Sequence, residues 1–403
     1  MLSAAESFQA VSNEELAFLG TGPVPTAPYY DREYHELERE AVFRRSWLHV
    51  GRVSELTGTD PFLVRRIGVA RASVLITRSS DGVLRAFHNV CPHRGNELVA
   101  EDAGEARSFS CRYHMWNFGT DGALRAVPDE KRFYDLDWSA CGLRPIAVDT
   151  CAGFLFVHLD AAPAQSLRES LGPFGDDLER IGFGRFTDFE QYSCDVAANW
   201  KTAAHNFQEN YHVRWVHRPS SGGRATSREN PFGYNSSFRF HGRHGGGTHW
   251  IPAAAALSDV RATAMRAAPT ADDAPCRGNF DFFHLFPNLY IEPLGGFNTF
   301  TMQFWPLDTE RTRLVVRVYR AGDDTSASAR FSREYTASSL MDVHVEDVEV
   351  IEANQRGLRS GALEHIYFGA QEAVCRQLHE NVAEMVRTYL TGRSTVPART
   401  DIR

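Results

Sequence analysis

The stretch NVCPHRGNELV spans Asn89–Val99, and CRYHMWNFG spans Cys111–Gly119. Each holds one Cys and one His: Cys91 and His93 with one residue between them, then Cys111 and His114 with two, the pairs separated by seventeen residues. Four such ligands in two tight pairs suit a metal. One account is a structural zinc that all four side chains surround as a tetrahedron. Zinc arms usually pair like with like, however, two Cys in one arm and two His in the other. Mixed arms suit a two-iron cluster, with both thiolates on one iron and both imidazoles on the other. Neutral imidazoles in place of thiolates lower the negative charge and raise the reduction potential.

The residues around these pairs read as strands. FLVRRI, SVLITR, VLRAF and GFLFVHL are short, rich in β-branched and apolar residues, and punctuated by the turn signals SSDG (79–82) and GTDG (119–122). Residues 47–160 therefore read as a small all-β domain whose loops carry the Cys/His pairs. Ahead of it, EYHELEREAVFRRSW (33–47) has the pattern of an amphipathic helix, so residues 1–46 read as a helical lead-in packed on the second domain. From residue 161 onward the pattern changes. A helix is expected from Asn199, strands between about 235 and 320 (NLYIEP, FNTFTMQFW and RLVVRVYRA the clearest), and two closing helices near 333–358 and 369–391. A run of strands with helices at its ends predicts an α+β domain over 161–403, built on an antiparallel sheet.

Composition narrows the class. The 403 residues leave ample core for two or three domains, and 43% hydrophobic with 23% charged is ordinary for a globular protein. A formal charge of −8 with no basic stripe argues against nucleic acid. The N-terminus is acidic where a signal peptide is basic, and no apolar run approaches a membrane span. Seven scattered cysteines, an odd number, fit reduced thiols better than a disulfide framework. The expectation is a cytoplasmic protein.

The second domain has its own chemical signature in NWKTAAHNFQENYHVRWVH, Asn199–His217. On a helical wheel Trp200, Ala203, Ala204, Phe207 and Tyr211 form an apolar stripe, with His205, Glu209 and His212 together on the opposite face. His212 and His217 are five apart, about 140° round a regular helix, so the helix must end or bulge between them if both bind one ion. In SLMDVHVEDVEVIEANQRGL (339–358), Leu340, Asp347, Ile351, Asn354 and Leu358 fall on one stripe, with Asp342, Glu346 and Glu349 on the far side. A buried acid must be paired or bind metal, and Asp347 is the one acid of the apolar face. His212, His217 and Asp347 thus make two His and one carboxylate, the facial set that prepares Fe(II) for dioxygen.

With Pro92, Arg94, Gly95 and Trp116 beside its ligands, the first motif closely resembles a Rieske [2Fe–2S] domain. With NWK…ENYH…H behind it, nearly the whole chain resembles the catalytic α subunit of Rieske non-haem iron oxygenases, the ring-hydroxylating oxygenase family. That resemblance implies a catalytic domain of helix-grip type and a mononuclear Fe(II) beside the cluster. It implies a homotrimer, with or without a small β subunit, fed by a separate NAD(P)H-dependent reductase directly or through a ferredoxin. It gives Glu209 the role of bridging His212 to His114 of the next subunit, where most members use Asp. Asn206 matches an Asn close to the iron, and His205 stands where Glu is common. The implied reaction is hydroxylation of an organic substrate with O2. Nine aromatics between Phe280 and Trp305 suit an apolar aromatic or alicyclic ring. They also suit a cage for a betaine- or choline-like quaternary ammonium, the alternative reading. An electron carrier or ligand-binding module without the mononuclear iron would lack His212, His217 and Asp347. HGRHGGGTHW (241–250) reads as an exposed, Gly-rich loop or lid.

Overall fold

The computed structural model describes residues 8–218, 220, 226–250, 260, 263–264, 279–294, 298–320 and 326–394. Two compact units form: Phe43–Glu179, and Met1–Val42 together with Arg180–Arg403.

In the first unit, seven antiparallel strands run in the spatial order Leu48–Arg52, Phe154–His158, Pro145–Cys151, Leu84–His88, Ala72–Arg78, Pro61–Ile67 and Ala103–Glu105. A second sheet of three short strands, Ser108–Ser110, Asn117–Gly119 and Leu124–Ala126, carries the Cys111/His114 loop between its first two strands. Phe62, Val64, Leu75, Phe87, Trp116 and Phe118 pack into one core with Cys91 and Cys111. The two sulfurs are therefore part of the hydrophobic interior rather than hung on a surface loop.

The other unit is built on seven antiparallel strands in the order Asp188–Val196, Arg311–Arg320, Asn298–Asp308, Leu289–Leu294, Asn279–Leu285, His244–Trp250 and Asn235–His241. The last two strands correct the reading of HGRHGGGTHW. It is a β-hairpin turning at Gly242–Arg243, with His244 and His249 buried. Gly242 has φ +55, which allows the tight reversal. Phe297 and Cys276 lie outside the described residues.

Against this sheet stand the helix Trp200–Phe207, the 33-residue helix Ala327–Arg359 (about 50 Å long) and Ala373–Ser394. The long helix buries His344, Asp347, Ile351, Gln355 and Leu358. Asn354, expected on this stripe, is exposed, and Gln355 takes its place. Spaced by three and four residues, these positions share one face of the helix.

The NWK triplet locks the Trp200–Phe207 helix in position. Asn199 caps it by accepting from the Lys201 N–H at 3.0 Å, the Trp200 indole donates to Glu38 at 2.9 Å, and the Lys201 ammonium pairs with the same carboxylate. Glu38 ends the N-terminal helix Arg32–Glu38, which continues as one wide turn to Phe43. Both charges of the Lys201–Glu38 pair are completely buried. Removing one partner strands the other, so Glu38→Ala is expected to cost ~3–5 kcal/mol of stability, read from denaturant unfolding. A loss under about 1 kcal/mol would mean that water reaches Lys201.

Candidate metal centres

The two Cys/His loops share one backbone form. The Cys91 N–H donates to Asn96 O at 2.8 Å and Gly95 N–H returns to Cys91 O at 3.0 Å; the Cys111 N–H donates to Trp116 O at 2.8 Å and Met115 N–H returns to Cys111 O at 2.8 Å. Each loop thus closes a knuckle whose fourth residue after the Cys is left-handed, Gly95 at φ +78 and Met115 at φ +59. Glycine takes that conformation freely, whereas Met115 is held in it by the knuckle. Asn89, fully buried, clamps the first loop through Val99, donating to its carbonyl at 2.8 Å and accepting from its N–H at 2.9 Å.

Both sulfurs are buried, while His93 and His114 stand part-exposed with ring centroids 4.5 Å apart. His93 stacks flat on Trp116 at 4.8 Å. Burial pushes the Cys91 thiol up to about 11, opposed by the backbone N–H groups of His93 and Arg94 that point at its sulfur. The Asn96 amide reaches the Cys111 sulfur at 3.7 Å. Donors aimed at buried sulfur fit thiolate ligands.

A single tetrahedral zinc would draw its four donor atoms to about 3.3–3.8 Å of one another. Among the described residues, only His212, His217 and Asp347 form a set of three or more ligand atoms within 4.8 Å. The four knuckle side chains do not form such a set, which fits two thiolates on one iron and two imidazoles on another rather than one shared ion.

The His212, His217 and Asp347 set is compact. His212 Nε2 and His217 Nε2 are 3.2 Å apart, and Asp347 Oδ1 lies 3.4 Å and 3.1 Å from them. Adjacent ligands of an octahedral ion at about 2.1–2.2 Å sit about 3.0 Å apart, so these three atoms can share one face of such an ion. Their convergence depends on a broken helix. The Trp200–Phe207 helix stops at Phe207, and a separate turn, Val213–Val216, stands between the two histidines. This corrects the continuous wheel read from the sequence: His205 turns inward against Tyr29 and Phe368 instead of joining Glu209 and His212. Tyr211, placed on the apolar stripe, is 46% exposed.

Glu209 organises the break. One carboxylate oxygen accepts the N–H groups of Tyr211 and His212, and the other meets His212 Nδ1 at 2.5 Å. The side chain folds back on its own turn, capping it and orienting the imidazole together. On the other histidine, Glu346 reaches His217 Nδ1 at 2.8 Å and accepts from Ser220 at 2.6 Å. The wheel had placed Glu346 on the far side. It is one residue from Asp347, and its longer side chain reaches round the helix to the second histidine. With a carboxylate on each Nδ1, that nitrogen carries the proton and Nε2 keeps a free lone pair for metal. Asn206 donates to Asp347 Oδ1 at 2.8 Å, fixing the carboxylate's orientation.

The charges agree with this geometry. Burial disfavours a charged His212, but Asp347 and Glu209 outweigh it and raise the imidazole to about 10. His217 is raised too, burial being overcome by Asp347 and Glu346. Burial would raise Asp347, yet the two histidines hold it well below the usual carboxylate range. The site favours positive charge at one point, and its donor set of two imidazoles and one carboxylate fits Fe(II). We expect Glu346→Gln to weaken iron retention by about 10–100-fold, seen as iron lost to a chelator while the cluster absorbance stays intact. Unchanged retention would reduce Glu346 to a bystander.

An all-β unit with Cys/His knuckles, on one chain with a helix-grip unit carrying two His and a carboxylate, defines the Rieske non-haem iron oxygenase class. The family profile described as ring hydroxylating alpha subunit (catalytic domain) matches residues 183–388, and that described as Rieske [2Fe-2S] domain matches residues 46–146. The chain belongs to the ring-hydroxylating oxygenase α-subunit family: an oxidoreductase that incorporates oxygen from O2, with a [2Fe–2S] cluster and a mononuclear iron as cofactors.

Relatives include the oxygenase subunit of carnitine monooxygenase from Acinetobacter baumannii, 28% identical over 83% of this chain and 85% of that one. The large oxygenase component of the naphthalene 1,2-dioxygenase system from Pseudomonas aeruginosa is 37% identical over 47% of this chain, a match spanning 43% of that relative's length. In fold, the chain is similar to a quaternary ammonium Rieske monooxygenase solved with L-carnitine (TM-score 0.73, 23% identity, 94% of this chain and 99% of that one). It is also similar to naphthalene 1,2-dioxygenase from Rhodococcus sp. bound to indole (TM-score 0.72, 22% identity, 93% and 99%). No helix among the described residues is long and apolar enough to cross a membrane.

Proposed function

We propose that this chain is the terminal oxygenase of a system that oxidises a quaternary ammonium compound next to its nitrogen. The observation that carries this reading is the aromatic wall beside the three converging ligands. Phe207, which follows Asn206, meets Tyr290 at 6.5 Å, Phe304 at 5.9 Å and His344 at 5.5 Å, and Phe300 meets Tyr290 at 6.1 Å and His344 at 5.8 Å. His344 is one turn from Asp347 on the long helix. Ring faces around a site attract a desolvated cation that cannot donate a hydrogen bond. The carnitine relatives, matched over most of both chains, support the same reading.

When bound, the mononuclear iron activates dioxygen with electrons delivered singly by the cluster. The chain's own residues do the rest. Glu209 and Glu346 hold the two imidazoles in the metal-binding tautomer, Asn206 steadies Asp347, and the rings exclude water and position the substrate. In balance, one oxygen atom enters a C–H bond beside the nitrogen and the other leaves as water, with two electrons and two protons consumed. The C–N bond then breaks to give a tertiary amine, a carbonyl compound and a proton.

Electrons come from a separate NAD(P)H-dependent reductase, directly or through a ferredoxin, and they cross between subunits of a homotrimer, from His114 of one to Glu209 and His212 of the next. In support, the part-exposed His114 stands between Tyr113 and Met115, 54% and 57% exposed, and Glu209 lies near the exposed rings of Tyr211 and Trp215. A second reading, hydroxylation of an aromatic or alicyclic ring, draws on the same apolar wall and on the naphthalene dioxygenase relative. Single-turnover product analysis separates the two. Pre-reduced holoenzyme given O2 is expected to convert trimethylammonium compounds to a tertiary amine and a carbonyl product and to leave naphthalene unchanged. A dihydrodiol from arenes, with no amine from any ammonium compound, would reverse the assignment.

A further inference from the structure

Most buried acids of the catalytic unit face a cationic or imidazole partner. Glu38 has Lys201, Asp347 has two histidines, Glu346 has His217 and Glu209 has His212. Glu292 differs. It is half-buried in the central strand Leu289–Leu294, and among the described residues its only hydrogen-bond partner is the Tyr290 hydroxyl, which donates at 2.8 Å. Strand alternation puts Glu292 on the same sheet face as Tyr290, and its partner across the ladder is Phe300. Tyr290 and Phe300 belong to the aromatic wall that runs through Phe207 and His344 toward Asn206 and Asp347. Among the described residues, this carboxylate thus has no cationic partner and shares its sheet face with the wall beside the three converging side chains.

We infer that Glu292 is a substrate-reading residue, the counter-charge that selects a cationic substrate over an uncharged one of equal shape. The inference rests on the ammonium reading above and names the group that would enforce it. Burial pushes the Glu292 carboxyl up to about 7, the Tyr290 hydroxyl pulls it down, and the charge on Asp347 adds to the rise. An isolated carboxylate here is costly to ionise, and a bound cation offsets that cost. An arene offers no such compensation. Quaternary ammonium cannot hydrogen-bond, so charge and ring faces are the chemistry left to recognise it.

The groups around Glu292 have settled charges. Tyr290 is raised well above its ordinary value by burial and stays neutral, Asp347 stays ionised, and burial holds His344 and His284 down to about 4 and so uncharged near neutrality. Glu292 is then the group that titrates near pH 7. A permanently charged ligand does not titrate, so its binding should strengthen as pH rises through about 7 and plateau above, where the carboxylate is ionised.

The test compares choline with its uncharged dimethylbutanol isostere, in which carbon replaces nitrogen, by calorimetry on the oxidised holoenzyme. The wild-type protein is expected to prefer choline by at least ~10-fold above pH 8, with the preference falling as Glu292 protonates. Glu292→Gln should lose most of that preference, keeping only what the ring faces supply, with a flat pH profile and an unchanged cluster signal. Tyr290→Phe, which removes the hydroxyl that favours the ionised form, should shift the wild-type midpoint upward; it also serves as the second variant if Glu292→Gln fails to fold. A preference and profile unchanged in Glu292→Gln, or a midpoint unmoved in Tyr290→Phe, would overturn the role and leave Glu292 a brace for Tyr290. Ammonium turnover alongside that result would sink this inference alone. Arene products without ammonium turnover would sink the function beneath it as well.

Discussion

Asp347→Ala is expected to leave the cluster intact and abolish turnover. The substitution deletes one of three donor atoms that lie 3.1–3.4 Å apart, and it leaves Asn206 without its acceptor. His212 and His217 keep their orientation, because Glu209 and Glu346 hold their Nδ1 atoms independently of Asp347. Two imidazoles alone bind Fe(II) weakly, so iron content should fall by the mononuclear ion while the reduced-cluster EPR signal persists. The exposed Asp342, five residues earlier on the same helix, provides the control. Asp342→Ala should keep iron and activity. If Asp347→Ala kept its iron and turned over normally, the facial set would be misassigned.

Glu209→Gln should separate electron delivery from iron binding. Glutamine is almost the same size, but its one carbonyl oxygen can keep only one of the two sets that Glu209 meets with separate oxygens, the His212 Nδ1–H or the N–H groups of Tyr211 and His212. Keeping the former preserves the tautomer, and added Fe(II) keeps the iron site loaded during the measurement. The negative charge is lost, and with it the charge-assisted pairing to each imidazole. If electrons pass from His114 of one subunit through Glu209 to His212 of the next, reoxidation of the reduced cluster by O2 and substrate should slow by orders of magnitude in an otherwise intact trimer. Rapid mixing, following the cluster absorbance, measures it directly. An unchanged rate, or full activity in a monomer, would refute the route.

The Cys/His loops were legible because their information is local. Each pair lies within a few residues, and the turn signals around them place them on loops between strands. His212 and His217 were legible for the same reason, and their spacing called for a break in the helix, expected between them but found ahead of His212. The position of that break was not. FQENYH contains neither Gly nor Pro; the stop at Phe207 is made by Glu209 capping the following turn, and a wheel drawn through it sent His205 to the wrong face. Asp347 could be singled out because burying an acid in an apolar stripe is costly enough to require a reason. Glu346 could not, because a wheel records where a side chain starts and not how far it reaches.

What only the tertiary structure decided is what meets across long separations. Glu38 lies beneath Lys201, Tyr192 donates to or accepts from His344 at 2.8 Å, and Glu292 faces Phe300 across the ladder with, among the described residues, no cation beside it. HGRHGGGTHW looked like a loop because glycine has low strand propensity. It is a hairpin because its neighbour strands supply the pairing, and Gly247 leaves room for Phe282 and Phe238, whose rings approach the place a Cβ would occupy to 2.8 Å and 3.1 Å. The local sequence determined which residues this protein offers as ligands. The packing of distant strands and helices decided which of the described acids are answered, and set Glu292 against the aromatic wall.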